Sequence, residues 1–178
     1  MNTILLLTDT GKHDQAVLQE AFYAVQHERR VLVGAKREHP EWSVIASNSG
    51  SIDAVADFAI KHLKAQPVFL IAVDLLYQDD KWSYMPRGLT DVYERVMQAG
   101  LSDRWKVRPI IYSRAMHEQR PIPEQAAAAL RHYGFSHDIK KEDFVDRVSD
   151  DWMDRFVGIC YSRMSDYVSV HGMLPTYP

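Results

Sequence analysis

The sequence is short of the residues that fix several kinds of chemistry. One residue of 178 is cysteine, Cys160, which excludes an intramolecular disulfide and a cysteine-rich zinc site and fits a reducing compartment. No apolar run approaches the ~20 residues that span a bilayer. Met1–Leu7 runs at once into Asp9, without the basic start and small-residue cleavage site of a signal peptide. Charge of one sign is scarce as well: a formal net charge of −3 is too small and too mixed to draw in nucleic acid by its field. P-loop, GxSxG and GxGxxG patterns are missing, and His13, His39 and His62 lack the spacing of zinc ligands. These absences leave a soluble cytoplasmic protein as the expectation, with no general nucleic-acid binding and no membrane attachment.

What is present reads as an ordinary globular chain, 46% apolar and 25% charged, long enough to bury about two-thirds of its unfolded surface. Ile4–Leu7 and Val31–Val33 are short continuous apolar runs, the pattern of strands covered on both faces. Between them Leu18, Ala21, Phe22 and Val25 fall on one helical face. Trp42–Ala46 suits another strand, and Ile52, Val55, Ala56, Ala59 and Leu63 recur at helical spacing after the turn-forming stretch Ser47–Ser51. Pro67 opens VFLIAVDLL, the most apolar stretch and the best central strand.

Further on, Tyr77–Arg87 has no clear period and reads as a long surface loop. Thr90 is placed to cap a helix carrying Tyr93, Val96 and Met97, with Gly100 closing it. VRPIIYS is a strand whose Pro109 suggests an edge position. An alanine-rich helix spans Glu124–Tyr133 up to Gly134. Strands and helices therefore alternate through residue 134, giving a Rossmann-like α/β fold with a largely parallel sheet and flanking helices. Residues 135–178 read as a C-terminal helical extension packed on it, with Trp152, Phe156, Cys160 and Met164 on one stripe until Gly172 and Pro175. Cys160 on that stripe is a core residue.

Ligands of open parallel sheets bind beyond the carboxyl ends of the strands. Four polar clusters fall at that edge: Thr8–Asp14, Ser47–Ser51, Asp74, and Ser113-Arg114. If the strands are neighbours, Asp9, Asp14, Asn48 and Asp74 surround one site, and two carboxylates with threonine oxygens suit calcium or magnesium. The plainer reading is helix capping, by Asp14 for a helix beginning near Gln15 and by Ser49 or Ser51 for one beginning near Ile52.

The stretch LLTDTGKHDQA resembles the aspartate-rich N-terminal motif of nucleoside hydrolases. Aligned on Gly11, Asp9 and Asp14 fall on two of that family's metal-binding acids, while Leu7, Thr10 and His13 replace an aspartate, a proline and an aspartate. The resemblance covers about the first third of the chain and implies calcium-assisted cleavage of an N-glycosidic bond. VIASNSGSIDAVADFAI is similar to the strand–turn–helix with which Rossmann-like phosphoribohydrolases and their nucleotide-sensing relatives hold a phosphate.

The function expected from the residues is binding of a nucleoside or nucleotide-like small molecule at the carboxyl edge, with hydrolysis of its N-glycosidic bond as the reaction such a motif would serve. Asp9, His13 and Asp74 are the catalytic candidates. Thr10, Asn48, Ser49, Ser51 and Arg114 are the ligand-binding ones, and Asp9 and Asp14 would hold a divalent metal. A homo-oligomer is compatible with this. The alternative is a non-catalytic regulatory protein that docks through residues 77–87, which carry Trp82, Tyr84, Met85 and Arg87, or through the C-terminal helix.

Overall fold

The computed structural model describes residues 1–8, 11–33, 41–49, 51–74, 77–78, 84–85, 88–113 and 144–177. In chain order these form β1 (Asn2–Leu7), α1 (Gly11–Val33), β2 (Trp42–Ala46), α2 (Ile52–Ala65), β3 (Leu70–Asp74), β4 (Tyr77–Gln78), β5 (Tyr84–Met85), α3 (Gly88–Gln98), β6 (Ile110–Ser113), β7 (Phe144–Asp146) and α4 (Trp152–His171). Five of the strands make one parallel sheet in the order β2-β1-β3-β6-β7. Counted along the sheet this is the 2-1-3-4-5 arrangement of the flavodoxin-like doubly wound plan. The expected α/β fold with a parallel sheet is what the chain adopts.

The central strands are apolar throughout because both of their faces are covered. Leu5, Leu7, Ile71, Val73 and Ile111 point into a core shared with Val55, Ala59 and Leu63 of α2 and Val92 and Val96 of α3. Their alternate neighbours, Ile4, Leu6, Leu70, Ala72, Ile110 and Tyr112, point the other way, onto Leu18 and Phe22 of α1 and Phe156, Cys160 and Met164 of α4. The period-2 geometry of a strand splits one apolar run between two cores. Burial pushes the Cys160 thiol well above its ordinary pKa, in keeping with a packing role.

Several local expectations need correction. Val31–Val33 is the last turn of α1; a short apolar run looks alike in a buried strand and a long helix, and Trp42–Ala46 takes the place of the second strand. β6 lies inside the sheet, between β3 and β7. Pro109 stands just before its first residue, where a missing N–H breaks no ladder bond. Thr90 lies within α3, two residues after its start at Gly88, although Gly100 does follow it with φ 71°.

Residues 77–87 are not wholly irregular: β4 and β5 pair antiparallel, Tyr77 with Met85 and Gln78 with Tyr84. Trp82 and Arg87 lie outside the described residues, as does the alanine-rich helix expected over 124–133. The segment taken as a helical extension also supplies a strand, since Phe144–Asp146 pairs with β6 in the main sheet. Among the described residues no helix is long and apolar enough to cross a membrane.

Candidate functional site

In this strand order the chain leaves β1 for β2 on one side and β3 for β6 on the other, so the connections after β1 and β3 diverge, the place at the carboxyl ends where ligands of such sheets bind. The local chain is stitched tightly there. Ser47, just past β2, gives its N–H to the Leu6 carbonyl at 3.0 Å, accepts the Thr8 N–H on Oγ at 2.9 Å, and returns its hydroxyl proton to the Thr8 carbonyl at 2.8 Å. The first turn of α1 then lies directly on this junction. A Cβ on Gly11 would fall onto the Ser47 carbonyl and 2.9 Å from the Ala46 Cβ, so only glycine lets the helix begin so close to β2.

Starting α1 at Gly11 puts Asp14 inside its first turn, not at a cap before Gln15. The side chain of Asp14 is fully buried. Its Oδ1 accepts from Nη2 of Arg147 at 2.8 Å, and its Oδ2 accepts the Tyr112 hydroxyl at 3.2 Å. Arg147 follows β7, and its Nη1 donates to Oδ2 of Asp74 at 3.1 Å. The same Asp74 oxygen accepts the Thr8 hydroxyl at 3.3 Å. One guanidinium therefore clamps two carboxylates, with side-chain exposures of 6%, 0% and 5% for Arg147, Asp14 and Asp74.

Planar, rigid donors suit such a double contact. The guanidinium also lies over the Tyr112 ring, 5.3 Å from its centroid. Burial, and after it the neighbouring Asp14 and Asp74 charges, push the Tyr112 phenol well above its ordinary pKa, so it serves as a proton-bearing donor. Thr8, Asp14, Asp74, Tyr112 and Arg147 thus tie the ends of β1, β3, β6 and β7 to the first turn of α1.

The remaining expected site residues separate into groups. His13 and Lys12 are exposed on the first turn of α1. Asn48 is exposed, and its Oδ1 accepts the Lys12 N–H at 3.3 Å, so it sits against the start of that helix. Ser49 accepts the Ser51 N–H at 3.1 Å. Ser51 is the N-cap of α2 and accepts the Ala54 N–H at 3.4 Å, the capping role that was the plainer reading for it. Asp9, Thr10 and Arg114 lie outside the described residues.

The metal reading must be weighed on Asp14, the described member of the expected pair. Both of its oxygens are engaged, by Arg147 and Tyr112. Among the described residues no group of three His, Cys, Asp or Glu side chains is arranged to hold an ion. For Asp14 the compensating charge is supplied by a guanidinium; Asp9, the other member of the pair, lies outside the described residues. Sequence reasoning missed Arg147 and Tyr112. Tyr112 ends an apolar run in a pattern that marks it as core, and Arg147 lies in a charged stretch that reads as solvated. No family model matches this sequence, and no curated protein matches it.

Proposed function

We propose that the protein binds a nucleoside or nucleotide-like ligand at the carboxyl edge of the parallel sheet. The observation that carries the proposal is the convergence there of the first turn of α1, bearing Lys12 and His13, with Asn48 and Ser49 beyond β2 and with Asp74 at the end of β3. Asn48 and Ser49 offer hydroxyl-recognising groups, and Lys12 stands where it can meet an anionic substituent near a helix N-terminus.

In this reading Asp14 and Asp74 position rather than react, since both are held by Arg147. Hydrolysis of an N-glycosidic bond would then fall to His13, exposed on the first turn of α1, as the proton donor to the leaving base while water adds to the sugar carbon; Asp9, the other catalytic candidate, lies outside the described residues. Binding is the primary claim and hydrolysis its extension.

The test is thermal shift and calorimetry against purine and pyrimidine nucleosides and their monophosphates, with and without added calcium or magnesium. A ligand at about 100 times its Kd raises stability by about 2.7 kcal/mol, which a melting curve resolves. His13→Ala should weaken that response while leaving the ligand-free melting temperature nearly unchanged, because its side chain is exposed; Asn48→Ala should weaken it too, with a ligand-free loss of about 0.5–2 kcal/mol because its Oδ1 accepts the Lys12 N–H. If no nucleoside or nucleotide shifts the transition at millimolar concentration, the proposal fails.

A further inference from the structure

Among the described strands β2 stands at one end of the sheet, with β1 as its neighbour. On that inner side the backbone bonds run through odd-numbered positions. The Asn2 N–H donates to the Glu41 carbonyl at 2.6 Å, and the Ser47 N–H to the Leu6 carbonyl at 3.0 Å. Successive residues of a strand turn their backbone groups to opposite sides, so those of Trp42 and Val44 point outward. An outer edge of this kind is a template for pairing with another chain.

One side chain meets both groups. Gln19 of α1 donates from Nε2 to the Trp42 carbonyl at 3.0 Å and accepts the Val44 N–H on Oε1 at 2.9 Å. A residue of a parallel neighbouring strand would make the same two bonds, its N–H to one residue of β2 and its C=O to the residue two further on. A carboxamide carries that donor and that acceptor in one planar group. Its aim is fixed by packing: Leu18 and Phe22, flanking it along α1, are fully buried, and the Phe22 ring stacks on that of Trp42 with centroids 5.0 Å apart.

We propose that Gln19 stands in for a neighbouring strand and holds the outer edge of β2 shut against a second copy of this chain. The strand itself offers little resistance to such pairing. It reads Trp42-Ser43-Val44-Ile45-Ala46, with neither the charges nor the proline that blunt an edge. A second copy is the occupant because an edge that meets itself across a two-fold axis pairs antiparallel, each copy offering the same residues. The antiparallel sense also sets the two Glu41 carboxylates at opposite ends of the pair. This device is independent of the ligand proposed at the carboxyl edge.

The experiment compares the full parent chain with Gln19→Ala and Gln19→Glu, by light scattering during gel filtration and by amide exchange at Val44, from micromolar to millimolar protein. In the parent, protection of the Val44 amide is expected to be the same at every concentration. In Gln19→Ala that amide should exchange about 10-fold faster when dilute, then regain protection as the mass doubles at high concentration. Gln19→Glu also loses the donor to Trp42 but sets a charge on the edge, so it should keep the parent's mass throughout. Both variants lose a stabilising bond, and only one opens the edge, which separates a shut edge from lowered stability. Gln19 is half-buried and both replacements suit a helix, so each variant should fold, which circular dichroism verifies. The proposal is overturned if Gln19→Ala keeps the parent's mass at all concentrations, if its Val44 amide stays as protected as the parent's, or if Gln19→Glu associates in the same way. Parent protection at Val44 that rises with concentration would show an edge already paired between copies and overturn it equally.

Discussion

An arginine shut in with two carboxylates is a structural commitment. Desolvating three charges costs several kcal/mol per ion, and only good geometry and further hydrogen bonds offset it. Both conditions are met around Arg147: its two contacts are 2.8 and 3.1 Å, and Tyr112 and Thr8 supply additional donors to the acids. Removing the cation should therefore hurt far more than removing an exposed pair such as Arg95 with Asp53, whose side chains are 44% and 74% exposed. Arg147→Met is expected to lose about 3–5 kcal/mol of unfolding free energy in urea. Adding Asp14→Asn and Asp74→Asn to it should recover part of that loss, because the stranded negative charges are gone. A single Arg147→Met variant within about 0.5 kcal/mol of the parent would show that the clamp contributes nothing.

The same residue shows where sequence reading stops. Asp14, Asn48 and Asp74 could be placed at one edge because each follows an apolar run, and strand ends are visible as the point where such a run breaks. Arg147 pairs with Asp14 across 133 positions, and the strand that delivers it, Phe144–Asp146, is three residues long. No period can be read from so short a run, so the charged surroundings decided the reading. Capping by Ser51, in contrast, is local chemistry three residues in reach, and it was legible.

Among the elements, α1 makes the clearest demand on the chain. Its amphipathic stripe of Leu18 and Phe22 was visible and is buried as expected, but its ends were misjudged in both directions, since Asp14 resembles a cap and Val31–Val33 resembles a strand. The start is set instead by backbone contact, through Gly11 against Ser47 and Ala46, which sequence patterning does not reveal. A glycine-to-alanine change inside an exposed helix normally gains up to about 1 kcal/mol. Here the sign should reverse. Gly11→Ala must push the helix start off the β2 end, and overpacking of this kind costs about 1–3 kcal/mol. Urea unfolding gives the magnitude. Amide exchange gives the location, because the Lys12 N–H that donates to Asn48 should lose protection while the β3 amides keep theirs. A neutral or stabilising Gly11→Ala would mean that the junction yields without cost, and that α1 is not anchored by its first turn.

At the scale of the whole molecule, the question is whether residues 135–178 are an appendage or part of the body. The alternation of elements through residue 134 reads as an α/β domain with residues 135–178 packed on it. The strand and helix that those residues supply join its sheet and its core. Without β7, β6 becomes an exposed sheet edge with unpaired backbone groups. Without α4, the core around Phe22, Trp42, Phe69 and Tyr112 loses Phe156, Cys160, Tyr161 and Met164 from one whole face. A buried side chain of this size contributes roughly 1.5–3 kcal/mol, and several together are comparable to the 5–15 kcal/mol, approximately, by which domains are stable at all. The loss extends to the site, because Asp14 and Asp74 would be without Arg147, the partner they share. A chain ending at residue 134 is therefore expected to lack a cooperative urea transition, to lose near-ultraviolet dichroism from the Trp42 cluster, and to bind a hydrophobic dye. Adding residues 135–178 back on the same chain should restore all three together, since the strand, the covering helix and the arginine clamp enter the fold as one unit. A truncated chain that unfolds in a single sharp transition, with dichroism from Trp42 intact, would show that the first four sheet strands and their helices stand alone.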